Sequence, residues 1–321
     1  MARADEPMQM NKVQTNHTTE ADGGRRVRYL KVGDAGDGQR LDNFLLARYK
    51  HIPKSRLYRT IRSGEVRVNS RRAKPHQRLG AGDRVRVPPL EAAPVRATSV
   101  GDGDIAALER RILHEDGELI VINKPANRAA HAGTGHNYGV VDVLRRMRPD
   151  DDVQLAHRLD KSTSGCLAAA KSRAALLRLH NAFRAGDVDK RYNALVIGRW
   201  DAPGEVSQAL ARGPQRLHAD DDGKAATSRF KVLRRCKGHT LVEVRLLTGR
   251  THQIRVHAAH CGHPVAGDRK YGNFTANRTL AKMGLKRMFL HARRLAFEWN
   301  GKTLACEAPL PDELESLLKQ L

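Results

Sequence analysis

The 321-residue chain has no apolar run long enough to span a bilayer. Its longest, such as Leu119-Ile120-Val121-Ile122, fall far short of the ~20 residues a membrane helix needs. Residues 1–24 are mostly polar, carry acidic side chains and have no apolar signal core, so a cytoplasmic protein is expected. Cysteine is scarce: Cys166, Cys236, Cys261 and Cys306 are widely spaced, with no CxxC pair to suggest zinc or a disulfide framework. There is no phosphate-binding P-loop and no clear metal-ligand cluster. Acidic residues are also in deficit, 35 against 58 Lys and Arg, for a net charge of +23. Such an excess points to a polyanion partner, with nucleic acid ahead of an anionic membrane surface.

What is present is an ordinary globular share of hydrophobic residues, 40%. Residues 1–24 read as a disordered tail, rich in Asn, Thr, Gln, Asp and Gly. Residues 25–88 form a small basic module with 18 Lys and Arg against 5 acidic residues. In it, Leu41, Phe44, Leu45 and Tyr49 recur at helical spacing. Pro53 and Ser55 open a second helix with Leu57, Tyr58 and Ile61 on its apolar side, and Gly64 stops it. Glu65 to Asn69 and Arg84 to Val87 alternate as strands do. Residues 89–104, rich in Ala, Pro, Gly and Asp, read as a linker.

Residues 105–321 mix strands with helices. Strands are expected at Glu118 to Asn123, Tyr192 to Gly198, Thr240 to Leu247 and Leu304 to Ala308, and helices at Ala174 to Ala185 and Pro311 to Leu321. Helices do not regularly separate the strands, so the expected class is α+β with a mixed sheet.

Two helices followed by basic strands, opening with Arg40-Leu41-Asp42, resemble an S4-type RNA-binding domain over about Gln39 to Val87. The resemblance implies that Lys54, Ser55, Arg56, Arg59, Arg62 and Arg67 face RNA, where several bases along one face neutralise phosphates.

The segment His157-Arg158-Leu159-Asp160-Lys161-Ser162-Thr163-Ser164-Gly165 sets one carboxylate among His157, Arg158 and Lys161. A carboxylate between cations should stay ionised, and can then act as nucleophile, base or metal ligand, or serve only as a salt-bridge partner in a loop. The segment resembles the HRLDxxTSG signature of the large ribosomal and tRNA pseudouridine synthases. More segments match in the same order: Ile122-Asn123-Lys124-Pro125-Ala126, Asp189-Lys190-Arg191-Tyr192, Leu246 to His257 (LLTGRTHQIRVH), Gly262 to Gly272 (GHPVAGDRKYG), Phe289-Leu290-His291-Ala292 and Glu307 to Pro311. Two departures stand out. Asn127 occupies a usual glycine position, and Ser162 follows Lys161 where Asp is frequent.

The resemblance implies an N-terminal S4-like domain, then a catalytic domain with a mixed, largely antiparallel sheet. It implies an isomerase that breaks the N1–C1′ bond of uridine, rotates the base and rejoins it through C5. Asp160 would be the covalent nucleophile, attacking C1′ or C6; Tyr192 would pack on the base and assist late proton removal; Arg255 would hold Asp160 ionised. Arg158 would fill the space the flipped base leaves. Lys124, Arg250, Arg269, Lys270 and Arg293 are candidate phosphate contacts. No cofactor and no metal are expected, since His252 and His257 read as part of the family core. The expected partner is large-subunit ribosomal RNA or its assembly intermediate, bound by a monomer. A tRNA-modifying enzyme, a non-catalytic ribosome-assembly factor and a basic nuclease are the competing readings; the S4-like module, the complete Asp160, Tyr192 and Arg255 set, and the lack of paired histidines disfavour them in turn.

Overall fold

A computed structural model describes residues 27–49, 52, 54–90, 100–132, 138–213 and 216–321. The chain divides into two compact units at Val95. The expected tail, residues 1–24, lies outside the described residues.

In the first unit, β1 (Arg28–Lys31) precedes α1 (Leu41–Arg48) and α2 (Lys54–Arg62), followed by β2 (Arg67–Val68), β3 (Arg71–Arg72) and β4 (Arg84–Val87). The strands pair in the order β1-β4-β2-β3. Leu41, Phe44, Leu45, Leu57, Ile61, Val85 and Val87 form its buried core. Gly64 leaves α2 with φ +81°, a conformation costly for residues with a Cβ. The strand expected over Glu65 to Asn69 is shorter, because Asn69 and Ser70 both have positive φ and close a two-residue hairpin between β2 and β3. Asn69 secures that turn by accepting from Arg84 N (2.8 Å) and donating to Asp83 (2.7 Å). In Arg40-Leu41-Asp42, the buried Asp42 carboxylate ties the two helices together. It accepts from Arg40 Nη2 (2.6 Å), Tyr58 Oη (2.7 Å) and Asn43 N (2.9 Å).

The second unit runs α3 (Asp102–Glu109), β5 (Ile112–Glu115), β6 (Leu119–Lys124), α4 (Val140–Met147), β7 (Gln154–Leu155), β8 (Ser164–Ala170), α5 (Arg173–Ala185) and β9 (Asp189–Ile197). It continues with β10 (Glu205–Ser207), β11 (Leu210–Arg212), β12 (Leu217–Ala219), β13 (Thr227–Cys236), β14 (His239–Leu246), α6 (Gln253–His260), α7 (Phe274–Lys282), β15 (Leu290–Trp299), β16 (Lys302–Glu307) and α8 (Asp312–Gln320). The large sheet has the order β10-β13-β14-β9-β15-β8-β6-β5. Among the described residues β15 and β8 pair in parallel and the other neighbours antiparallel, so the unit is α+β with a mixed, largely antiparallel sheet. Both faces are covered, which is why β6 reads as an unbroken apolar run: Ile120 and Ile122 enter one core, Leu119 and Val121 another.

Local signals set the helix ends. Ser172 caps α5 by accepting from Ala175 N (3.2 Å), and Gly186 ends it at φ +87°. The expected linker is partly helical. Residues 91–99 lie outside the described part, but Asp102 and Asp104 occupy the first turn of α3, where acidic side chains complement the helix dipole. Low periodicity hid this helix, which buries Leu108. Among the described residues no helix is long and apolar enough to cross a membrane.

One row of Cα partners crosses five strands: Val244 on β14, Tyr192 on β9, Ala292 on β15, Gly165 on β8 and Lys124 on β6. It sets Tyr192 level with the chain that leaves the Asp160 turn. Gly165 is required there. Its φ is +108°, and a Cβ would lie 2.2 Å from Ala292 O. Gly165→Ala is therefore expected to cost about 3 kcal/mol or more, read from urea midpoints; a variant as stable as wild type would contradict this packing.

Hydrogen bonding from Arg40, against the opposing effect of burial, holds the Asp42 carboxyl at about 2, below its ordinary 3.8. The unfolded chain therefore binds this proton first. The stability from Asp42 is complete above pH ~4 and is lost as pH falls towards ~2. Urea titrations across that window should show a shallower acid loss for Asp42→Asn than for wild type.

Candidate active site

Asp160 sits in the loop between β7 and β8, closed by a Thr163 N to Asp160 O bond (3.1 Å). Its Oδ2 accepts from Arg255 Nη1 at 2.9 Å. The cations adjacent in sequence do not supply this contact. His157 Nε2 accepts from Ala168 N (3.0 Å), so that ring is neutral, and burial pushes its pKa down to about 3. Arg158 and Lys161 are exposed.

Arg255 projects from the buried face of α6, and a second carboxylate fixes it. Its Nε donates to Asp268 Oδ2 (2.6 Å) and its Nη2 to Asp268 Oδ1 (2.8 Å). Asp268 also accepts from the N–H groups of Lys270 (2.8 Å) and Tyr271 (3.1 Å). Burial would raise the Asp268 pKa, yet these bonds hold it below the usual carboxylate value. Two guanidinium nitrogens thus grip Asp268 in a fork, and the third points at Asp160. Asp268 is not among the residues expected at the site; its place in the GHPVAGDRKYG match is the signal that marks it.

The start of α6 is equally constrained. Gln253 Oε1 accepts from Thr248 Oγ1 (2.8 Å) and Arg250 N (2.9 Å), while Nε2 donates to Thr227 O and Ser228 Oγ (both 2.9 Å). His252 adopts φ +55°, rare for a residue with a Cβ. The strain sets His252 Nε2 3.7 Å from Asp160 Oδ2 and Nδ1 2.9 Å from Tyr271 Oη. Tyr271 Oη also accepts from Leu217 N (3.3 Å), which ties this pair to β12. Burial lowers the His252 pKa, against the opposing charge of Asp160. His257 faces away, bonded to Ser228 Oγ (3.0 Å) and Gln208 O (2.9 Å), so the two histidines share no site.

A cavity of about 570 Å³ brings Asp160, Arg255, His252, Tyr192, Arg158 and Arg250 together, with Leu246 and Leu290 in its wall. Tyr192 is buried, and burial followed by the charge of Asp160 raises its phenol pKa, so the hydroxyl stays protonated at neutral pH. Arg158 and Arg250 are exposed at this cavity.

Other expected contacts lie elsewhere. Arg269 and Lys270 are exposed in the turn after Asp268 and do not line the cavity, and Arg293 pairs with Glu307 (3.4 Å). Lys124 is not a phosphate contact, because it is completely buried. Its Nζ donates to Pro125 O (2.8 Å), Arg128 O (2.9 Å) and Lys161 O (3.3 Å), tying the chain beside Asp160 to the end of β6. Asn127 turns the chain at φ +61°, a conformation asparagine tolerates. In the first unit, Arg59 and Arg62 are exposed on α2, Arg56 is half-buried, and Lys54 and Ser55 begin the helix. Arg67 projects from β2, within the expected strand.

Residues 118–260 match the RNA pseudouridylate synthase family, and residues 39–85 match the S4 domain. Ribosomal large subunit pseudouridine synthase C of Haemophilus influenzae is 43% identical over 306 residues, covering 92% of this chain and 95% of that protein. The chain belongs to the pseudouridine synthase family. Such enzymes are isomerases, and the S4 domain precedes the synthase domain here. The Yersinia pestis protein of the same name is 45% identical over 92% of this synthase and 96% of its own length. Among solved structures, Human RNA Pseudouridylate Synthase Domain Containing 4 superposes with a TM-score of 0.57 at 26% identity, covering 67% of this chain and 94% of that one.

Lys124→Met in this synthase would leave three carbonyls without their donor. Folding stability should fall by about 2–4 kcal/mol, while the salt dependence of RNA binding stays as in wild type. A phosphate contact would behave in the opposite way, with unchanged stability and a shallower salt slope.

Proposed function

We propose that this synthase converts uridines of large-subunit ribosomal RNA to pseudouridine, with Asp160 as nucleophile. The carrying observation is the 43–45% identity, over 92% of the chain, to relatives named for the large ribosomal subunit. On this reading residues 25–88 hold the RNA and residues 105–321 perform the chemistry. The enzyme works as a cytoplasmic monomer without cofactor or metal, on ribosomal RNA or an assembly intermediate.

The geometry suits that chemistry. Arg255 and His252 both address Asp160 Oδ2, which leaves Oδ1 to form the covalent bond. Arg255 keeps the carboxylate ionised and fixed in direction, lowering the cost of orienting it for attack. Tyr192, uncharged in its buried setting, offers a flat apolar face to the detached uracil. The leucines of the wall exclude water from an intermediate that water would otherwise intercept. Arg158, exposed at the cavity, is placed to fill the gap left when the target leaves its stack. Exposed Arg250 meets the flanking phosphates. The reaction moves no electrons out of the RNA: N1 gains a proton and C5 loses one to solvent.

The proton lost from C5 makes the reaction measurable. Wild-type enzyme should release tritium from 5-tritiated large-subunit RNA, and Asp160→Asn should reduce release at least a thousandfold without loss of folding stability. Pseudouridine maps from cells with the gene, without it, and with Asp160→Asn should lose the same large-subunit sites in the last two. Sites that vanish only on deletion would remove Asp160 from the role. Lost tRNA sites would move the substrate.

A further inference from the structure

The open face of the first unit's sheet carries a pattern that folding does not explain. In β4, Val85 and Val87 enter the core, which turns Arg84 and Arg86 outward. Register aligns Tyr29, Arg86, Arg67 and Arg72 in one row across all four strands. The next row on the same face pairs Lys31 with Arg84. Like charges directly opposite each other on a sheet are destabilising, and here they occur in two successive rows of that face.

Among the described residues no carboxylate lies within ion-pair distance of Arg67, Arg84 or Arg86. Backbone carbonyls aim them instead: Arg86 Nη1 donates to Glu65 O (2.8 Å), and Arg67 donates to Gly64 O and Ser70 O (both 3.3 Å). The three line a cleft of about 750 Å³ with Tyr29, and Glu65 is the one acid among its lining residues. Tyr29 is 54% exposed, and the Arg84 guanidinium lies 4.1 Å from its ring centre. An exposed aromatic with a guanidinium stacked on it, flanked by unpaired cations, is a platform for an unstacked base and its phosphates. Tyr29, Arg67, Arg84 and Arg86 all project from strands, so the helices do not account for the platform.

We propose that this sheet face is a second RNA-docking surface, distinct from α2, which takes a single-stranded segment of the substrate with one base on Tyr29 and neighbouring phosphates on Arg67, Arg84 and Arg86. The proposal rests on the RNA-modifying function above. Duplex RNA fits the cleft less well, since its bases are stacked and cannot reach Tyr29.

The test uses the full chain and two fluorescent probes, a purine-containing single-stranded 12-mer and the duplex of the same sequence, titrated at several salt concentrations. Tyr29→Ala should weaken single-strand binding about tenfold, and Tyr29→Phe should restore it. The pair Arg84→Ala, Arg86→Ala should flatten the log–log salt slope for the single strand by about 1.4. Circular dichroism confirms that each variant is folded. Equal losses on duplex and single strand for Tyr29→Ala would overturn the single-strand assignment. Wild-type protein that releases tritium from 5-tritiated ribosomal RNA, together with variants that bind both probes as wild type does, would overturn the surface while leaving the isomerase intact. Wild-type protein that releases none would overturn the isomerase reading itself.

Discussion

The grip of Arg255 on two carboxylates is the constraint on which the catalytic unit depends. Asp268 is buried and accepts from Nε and Nη2 of the guanidinium; Asp160, partly open to the cavity, accepts from Nη1. A buried ion pair is costly to desolvate, and its removal in halves is costlier still, because one charge is left without a partner. The site accepts that cost and gains direction. The cation cannot follow Asp160 out into solvent, so Asp160 must remain where Arg255 points.

Everything around the pair serves to keep it in register. Gln253 ties the loop before α6 to β13, which sets the angle at which Arg255 leaves the helix. Lys124 holds the chain next to Asp160 from beneath. Gly165 lets β8 approach β15 closely enough to align the Asp160 turn with Tyr192. The strained backbone at His252 brings a ring nitrogen towards the same oxygen that Arg255 holds. These contacts come from segments far apart in the chain, and each converges on a carboxylate whose other oxygen is left free.

Much of this was legible in sequence where the motif residues are contiguous. HRLDxxTSG marked Asp160, and TGRTHQIRVH marked Arg255, although nothing local said that they meet. Their hydrogen bond spans 95 positions, and only the family resemblance could anticipate it. Local charge misled in two places. His157 beside Asp160 proved neutral and turned to β8, and Lys124 proved to be a buried strut. A lysine on a strand end has the same composition signal whether its amine meets phosphate or three carbonyls. Asp268 escaped notice because a carboxylate that neutralises a buried arginine leaves no periodic trace. In the first unit the apolar spacing located both helices, but alternation overran β2 because Asn69 and Ser70 turn the chain. Arg67 falls on a strand as its alternation implies, but its row with Tyr29 and Arg86 comes from sheet register, between strands that pair only in the folded unit.

If Arg255 serves both as counter-charge to Asp268 and as holder of Asp160, the two duties can be separated. Arg255→Met alone should cost about 3–5 kcal/mol of folding stability, and adding Asp268→Met should return most of it, since apolar pairs of similar volume replace buried ion pairs at little cost. The deciding measurement is tritium release by the double variant at a temperature where it is folded. The account predicts that activity stays at least a hundredfold below wild type, because Asp160 has lost its guide. Activity that returns along with stability would contradict it.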